Sequence, residues 1–160
     1  MNLLCIGKLV NTHGIKGEVR IISDFEYKEK IFKKGNIIYI DKNPLKINTY
    51  RIHKNYDMLT FDGINDINDV IKYKGLLVYI DRNNYKLPIL TTDLIGLDVY
   101  FEAEYKGKVV DILKNKLYTL LKIKHNKEYF VPNIEQFIRK IDIENNRIEI
   151  NYIKGLEDEN

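Results

Sequence analysis

The chain has 160 residues, enough for one domain or two small ones, and a formal net charge of +3. Its 12 Tyr, 6 Phe and only 3 Pro favour strands, so we expect an all-β protein. A single cysteine, Cys5, excludes an internal disulfide, and because no apolar run approaches the ~20 residues of a membrane span, we expect a soluble cytoplasmic protein with no membrane partner.

The segment GKLVNTHGIKGEVR, residues 7–20, joins two strand-like runs. The apolar residues on either side, in 3–10 and 19–22, suit a half-buried pleated surface, and residues 11–14 are expected to form the loop between them. Two glycines three residues apart indicate a connection that twice needs a positive φ or a close backbone approach. We interpret the following residues as architectural: Gly7, Gly14, Gly17 and Glu18.

Further strand-like runs follow in the first half of the chain. The polar stretch 23–36 predicts a long loop that can hold a helical turn. Beyond it, turn residues separate predicted strands at 37–40, 45–53, 58–61 and 76–80.

Residues 65–73 change to a helical pattern. Asn65 or Asp66 can cap a short helix there, and Gly75 can end it. Its predicted apolar face consists of Ile67, Val70 and Ile71.

The polar, proline-containing stretch 81–90 is the best linker candidate. After it, regularly spaced short runs are typical of a small barrel; they lie at 94–101, 108–113, 117–123, 128–131, 138–141 and 147–152. We therefore expect two small β-barrel domains, residues 1–84 and 93–156, with a linker at 85–92 and a disordered acidic tail at 157–160. The apolar linker residues are expected to pack between the barrels: Leu87, Ile89 and Leu90.

Residues that could form a catalytic or metal site are scarce. Ser23 is the only serine, and the three histidines lack the spacing of metal ligands. The segment Gly14–Gly17 matches the GxxG loop of KH domains, but strands rather than helices flank it. We therefore expect a protein that is not an enzyme and that uses no metal, cofactor or small-molecule substrate.

The two halves of the chain differ in charge. Residues 1–86 hold 15 Lys and Arg against 10 Asp and Glu, whereas residues 87–160 hold 11 against 13, so the halves carry +5 and −2. Only the first half has the basic excess that phosphate groups attract. His13 can either hold its turn by hydrogen bonds to the backbone or, with Lys16 and Arg20, contact RNA.

The motif at residues 7–20, with Gly7, Thr12 and the run HGIKGEVR, resembles the opening of the ribosome maturation factor RimM family. Six later segments resemble RimM in the same order: 32–40, 59–70, 74–80, 93–100, 107–113 and 128–150. The resemblance covers nearly the whole chain. It implies an N-terminal barrel similar to a translation-factor barrel and a C-terminal PRC barrel.

The resemblance also implies a function. RimM proteins are non-enzymatic assembly factors that bind the immature small (30S) ribosomal subunit, promote maturation of its head and 16S rRNA processing, and bind small-subunit ribosomal protein uS19 mainly through the PRC half. We accordingly expect 16S rRNA and uS19 as partners of a monomer. The alternative is a generic basic RNA-binding β-barrel protein without a dedicated ribosomal-protein partner.

At one place the chain departs from the family. RimM proteins often carry two adjacent tyrosines, implicated in holding the ribosomal protein, just before the segment that matches 93–96, where this chain has Ile89 and Leu90. An apolar pair can still anchor an interface but lacks the tyrosine hydroxyl groups. The predicted partner-binding residues are therefore His13, Lys16, Arg20, Ile89 and Leu90.

Overall fold

Strands dominate the part of the chain that this computed structural model describes, residues 1–151. They confirm the all-β class expected from the composition. The chain divides into two units, Met1–Pro88 and Ile89–Asn160. The tail predicted at 157–160 lies outside the described residues. No helix within the described part is long and apolar enough to cross a membrane.

The first unit is a closed barrel of six antiparallel strands. They are β1 (Leu3–His13), β2 (Glu18–Ile22), β3 (Ile37–Ile40), β4 (Asn43–His53), β5 (Tyr56–Phe61) and β6 (Leu77–Asp81). Their order around the barrel is β1-β2-β5-β4-β3-β6, with β6 paired back to β1. Side chains at alternate positions point inward and form the core, among them Leu9, Val19, Ile38, Leu59 and Val78.

Strand β1 closes the barrel because it pairs with β6, the last strand of the unit, as well as with β2. Its register shifts between Cys5 and Gly7 against β6, and again between Leu9 and Asn11 against β2, as expected of β-bulges. At Gly7 a Cβ atom would lie 2.5 Å from the carbonyl oxygen of Ile22 on β2. The packing of the two strands therefore requires glycine at this position.

A short helix, α1 (Lys28–Ile31), interrupts the polar stretch between β2 and β3. Ile31 is buried in the barrel core. The Lys28 ammonium and the Tyr50 hydroxyl donate hydrogen bonds of 3.0 and 2.6 Å to the buried Asp57 carboxylate. Burial, followed by the bond to Asp57, raises the pKa of Tyr50, so its hydroxyl keeps the proton that it donates. A buried carboxylate is tolerated here because both of its oxygens are bonded.

The predicted helix at 65–73 is replaced by two successive 3₁₀ turns, Ile67–Asp69 and Ile71–Tyr73. Asp66 caps the first, since its carboxylate accepts a 2.8 Å bond from the Asn68 N–H. The predicted apolar face is wrong at Ile71, which is 52% exposed, whereas Val70 and Tyr73 are buried. Residues three apart share a face because a 3₁₀ helix has three residues per turn.

The β4–β5 connection is also tighter than predicted. Strand β5 begins at Tyr56, so only Lys54 and Asn55 form the turn, instead of the four residues 54–57. His53 and Tyr56 face each other across this hairpin.

The second unit contains a six-stranded sheet. Its strands are β7 (Asp98–Phe101), β8 (Glu104–Lys114), β9 (Thr119–Lys124), β10 (Glu128–Pro132), β11 (Ile138–Asp142) and β12 (Arg147–Ile150). Their order is β10-β9-β8-β7-β12-β11, and the β7–β12 pair is parallel. A separate core lies within this unit and includes Leu94, Val99, Val109, Ile123 and Ile148.

We predict that Gly7→Ala destabilises the first unit by about 2 to 3 kcal/mol, because the added methyl group must push against a backbone carbonyl. Gly35→Ala is the control: its φ is +92° and no heavy atom lies within 4 Å of the added Cβ, so only the backbone strain of about 1 kcal/mol applies. Urea unfolding of the full chain measures both. Equal losses in the two variants would contradict the close-approach argument.

Candidate functional site

Four strands of the first barrel bring polar and aromatic side chains onto one outer face. His13 lies opposite Glu18 on β1 and β2, and His53 lies opposite Tyr56 on β4 and β5. Directly opposed residues of antiparallel strands share a face, as do alternate residues along one strand. We call this group the polar cluster: His13, Glu18, Arg20, Arg51, His53 and Tyr56.

Met58 forms the apolar floor of the polar cluster. It lies opposite both Arg20 and Arg51, while its chain neighbour Leu59 faces the barrel core. Met58 therefore points to the outer face, yet it is 0% exposed. Long side chains such as arginine cover apolar surface with their aliphatic stems while the charged ends stay in water. The arginines are thus held against the sheet.

Arg51 is neutralised by a carboxylate. Its Nε and Nη2 donate hydrogen bonds of 2.9 and 2.7 Å to the two carboxylate oxygens of Glu18. This paired geometry is the strong form of an arginine–carboxylate contact. The bond from Arg51 lowers the pKa of Glu18, against the smaller opposing effect of burial. Glu18 lies on β2 and Arg51 on β4, so the ion pair links two strands that both flank β5.

Arg20 has neutral partners instead. Its Nε and Nη2 lie 3.2 and 2.8 Å from Nδ1 of His13. A guanidinium group can only donate, so Nδ1 accepts and a neutral imidazole carries its proton on Nε2. The guanidinium carbon lies 5.7 Å from the centre of the Tyr56 ring. Within residues 1–151, no carboxylate pairs with Arg20.

His53 lies close to several positively charged side chains. Its ring centre is 5.4 Å from that of His13, with an angle of 57° between the planes. Burial lowers the pKa of His53, and the neighbouring cations Arg51, Lys54 and Arg20 lower it further. His53 is therefore uncharged at neutral pH and offers a neutral ring beside positive charge.

His13 ends strand β1 instead of lying in a loop, which corrects the expected loop at 11–14. The turn occupies residues 14–17, where Gly14 and Gly17 have φ of +71° and +95°. The Ile15 carbonyl accepts a 2.9 Å bond from the Ile67 N–H, so the turn is fixed to the first 3₁₀ turn. Lys16 is exposed on it. The structure thus brings His13 and Arg20 into contact and places Lys16 on the adjoining turn.

Ile89 and Leu90 belong to the second unit and have different environments. Ile89 is 46% exposed, whereas Leu90 is 2% exposed and its N–H donates a 2.8 Å bond to the Asp93 carboxylate. Of the two predicted apolar anchors, only Ile89 presents its side chain to solvent. Leu87 packs against the core of the first unit.

Three members of the polar cluster were missed by sequence reasoning: Arg51, His53 and Tyr56. The alternation from residue 51 to 53 could have placed Arg51 and His53 on one face of a strand. Nothing in the sequence states that this strand lies near β2. Among residues 1–151, no group of three His, Cys, Asp or Glu side chains could hold a metal ion.

Comparison with known proteins connects both units to one family. A family model of the RimM N-terminal domain matches residues 4–85, and a model of the RimM PRC barrel domain matches residues 91–156. The ribosome maturation factor RimM of Staphylococcus saprophyticus is 37% identical, over 96% of this chain and 98% of that protein. The ribosome maturation factor RimM of Shouchella clausii is 33% identical, over 96% of both chains.

A solved structure of one RimM domain is also similar to part of this chain. The N-terminal domain of RimM from Thermus thermophilus, determined in solution, is 18% identical with a TM-score of 0.46. The match covers 54% of this chain and 98% of that one.

We predict that Glu18→Gln lowers stability at neutral pH by less than about 1 kcal/mol, since the Arg51 pair is partly exposed. The lowered pKa of Glu18 means that its stabilisation is present above the unfolded value, about 4, and is lost as the pH falls through the folded value. Wild-type and Glu18→Gln unfolding curves should therefore converge in acid. Glu29→Gln, an exposed site on α1, should change little at any pH. A constant gap for Glu18→Gln would contradict the ion-pair assignment.

Proposed function

Since the chain belongs to the RimM family of ribosome maturation factors, we propose that it binds the immature small (30S) ribosomal subunit and promotes 16S rRNA processing and maturation of the subunit head. The observation that supports this most is the match of one family model to each of its two units. The proposed site of action is the cytoplasm, where ribosomal subunits assemble.

We assign the rRNA contact to the first unit. The first half of the chain carries +5, and one of its arginines, Arg20 of the polar cluster, has no carboxylate partner among residues 1–151. Phosphate groups are met by such Lys and Arg side chains. Lys16 adjoins the cluster on its exposed turn. These features support His13, Lys16 and Arg20 as the rRNA-binding residues.

We assign the protein contact, with ribosomal protein uS19, to the second unit. Residues 87–160 carry −2, which suits a protein partner better than phosphate. Protein interfaces depend on a few desolvated apolar or aromatic side chains, and Ile89 is exposed at the position where the family often has a tyrosine. Ile89 is thus the proposed anchor. Leu90, the next residue in the chain, is buried.

The proposed mechanism is binding rather than catalysis, and it uses no cofactor. A protein that binds one conformation of the assembling subunit more tightly than another shifts the population toward the first. The required free energy comes only from the difference between the two affinities. A generic RNA-binding barrel would bind naked RNA equally well and would not need uS19.

We predict that the protein co-sediments with free small subunits and is depleted from translating ribosomes. Replacing Lys16 and Arg20 with alanine should weaken subunit binding and reduce its salt dependence, because two phosphate contacts are lost. Binding to isolated uS19 should stay unchanged. The double variant Lys33→Ala and Lys34→Ala removes the same charge outside the polar cluster and serves as control. Equal occupancy on translating ribosomes would refute the assembly role.

We predict that Ile89→Ala weakens binding to isolated uS19 by about 1 to 3 kcal/mol, as expected for an interface anchor. Ile143→Ala, at a second-unit isoleucine of similar exposure, 41% against 46%, should have little effect. Isothermal titration calorimetry measures both. Leu90→Ala should instead lower folded stability by about 2 kcal/mol or more, since it empties a buried site. If the Ile89→Ala protein is folded and binds uS19 as tightly as the wild type, Ile89 is not the anchor of the interface.

A further inference from the structure

The two arginines of the polar cluster differ in what they can still bind. Arg51 directs its Nε and Nη2 at Glu18, so its charge is balanced by a carboxylate. Arg20 directs the same two nitrogens at His13, which supplies an acceptor without a negative charge. Arg20 therefore keeps its full positive charge for an incoming anion.

The hydrogen bonds of Arg20 also leave one edge of its guanidinium group without a partner among residues 1–151. A guanidinium has five N–H donors, and the bonds to His13 use the edge formed by Nε and Nη2. The edge formed by Nη1 and Nη2 keeps two parallel donors. Two parallel N–H groups match the spacing of two phosphate oxygens. His13 and the Tyr56 ring hold the group in place, which lowers the entropy lost on binding.

Two lysines add positive charge on the turns that follow the two histidines of the polar cluster. Lys16 follows His13 by three residues on the β1–β2 turn, and Lys54 follows His53 directly on the β4–β5 turn. Both are exposed, and neither has an ion-pair partner within the described residues. The two turns therefore each carry an exposed lysine within three residues of a histidine of the polar cluster.

The rings of the cluster determine which nucleic acid fits. His53 is partly exposed, uncharged and within 5.4 Å of the His13 ring centre. Side-chain rings stack on bases only when the base faces are free, because in a duplex each face is already covered. A phosphate-binding arginine beside partly exposed rings therefore fits an unpaired strand better than a duplex.

We propose that the polar cluster is a binding site for single-stranded RNA, with a backbone phosphate on the Nη1 and Nη2 edge of Arg20 and an unpaired base against His53. The proposal rests on the function proposed above, since it specifies the kind of RNA that the first unit contacts. It adds His53 and Lys54 to the predicted interface and gives Arg51 and Glu18 a positioning role.

The test measures binding of the full chain to a fluorescent single-stranded RNA of about 10 nucleotides and to the duplex of the same sequence. The single strand should bind more tightly. Arg20→Gln should lower that affinity about tenfold and reduce the slope of log affinity against log salt by about 0.7, the value for one phosphate. Arg139→Gln makes the same chemical change at an exposed strand residue of the second unit and should preserve both quantities.

His53 variants test the stacking separately from the charge. His53→Ala should weaken single-strand binding by about fivefold or more without changing the salt slope, and His53→Phe, which keeps a ring, should restore the affinity. An NMR titration of His53 supplies a second readout. A bound phosphate offsets the surrounding cations, so the pKa of His53 should rise when RNA is added.

Three outcomes would overturn the proposal: a duplex that binds as tightly as the single strand, equal losses for Arg20→Gln and Arg139→Gln, or a pKa of His53 that RNA leaves unchanged. Sedimentation separates this proposal from the assembly role. If small subunits bind the wild type while Arg20→Gln leaves oligonucleotide binding intact, the site is refuted and the assembly role stands. If Arg20→Gln weakens oligonucleotide binding as expected but the wild type does not sediment with small subunits, the assembly role is refuted and the RNA site stands.

Discussion

The first unit depends on the closure of its barrel, in which the first strand, β1, also pairs with the last, β6. Strand β1 joins β2 to β6, and it can do so because two bulges change its direction and because Gly7 lets the Ile22 carbonyl approach. A closed sheet has no unpaired edge, so every strand of the barrel keeps both neighbours. The positions of the other five strands follow from this closure.

The polar cluster is a consequence of the strand order β1-β2-β5-β4. Arg20 and Arg51 are far apart in the chain but both lie opposite Met58, because β5 pairs with β2 on one side and β4 on the other. Met58, which lies opposite both arginines, is fully buried. An anion that binds at this face meets groups already held by the sheet, so little side-chain entropy remains to be lost.

The two arginines of the polar cluster differ in charge balance because their neighbours differ. Glu18 neutralises one arginine, and His13, which is neutral, holds the other without cancelling its charge. The same contrast exists between the two units, since the basic excess lies in the first and the slight acidic excess in the second. This distribution of charge agrees with the proposed division of the RNA and protein contacts between the two units.

The sequence by itself determined the all-β class, the family and the glycines at residues 14 and 17, because alternation, motif order and positive-φ requirements are local properties of the chain. It also led to the prediction that His13, Lys16 and Arg20, which lie within one motif, bind a partner. It did not indicate Arg51, His53 and Tyr56, and it placed Ile71 on the wrong side of a helix that is really two 3₁₀ turns. Only the tertiary structure decided these points, because strand order and pairing register depend on contacts between distant residues, and those contacts choose which neighbours a side chain meets.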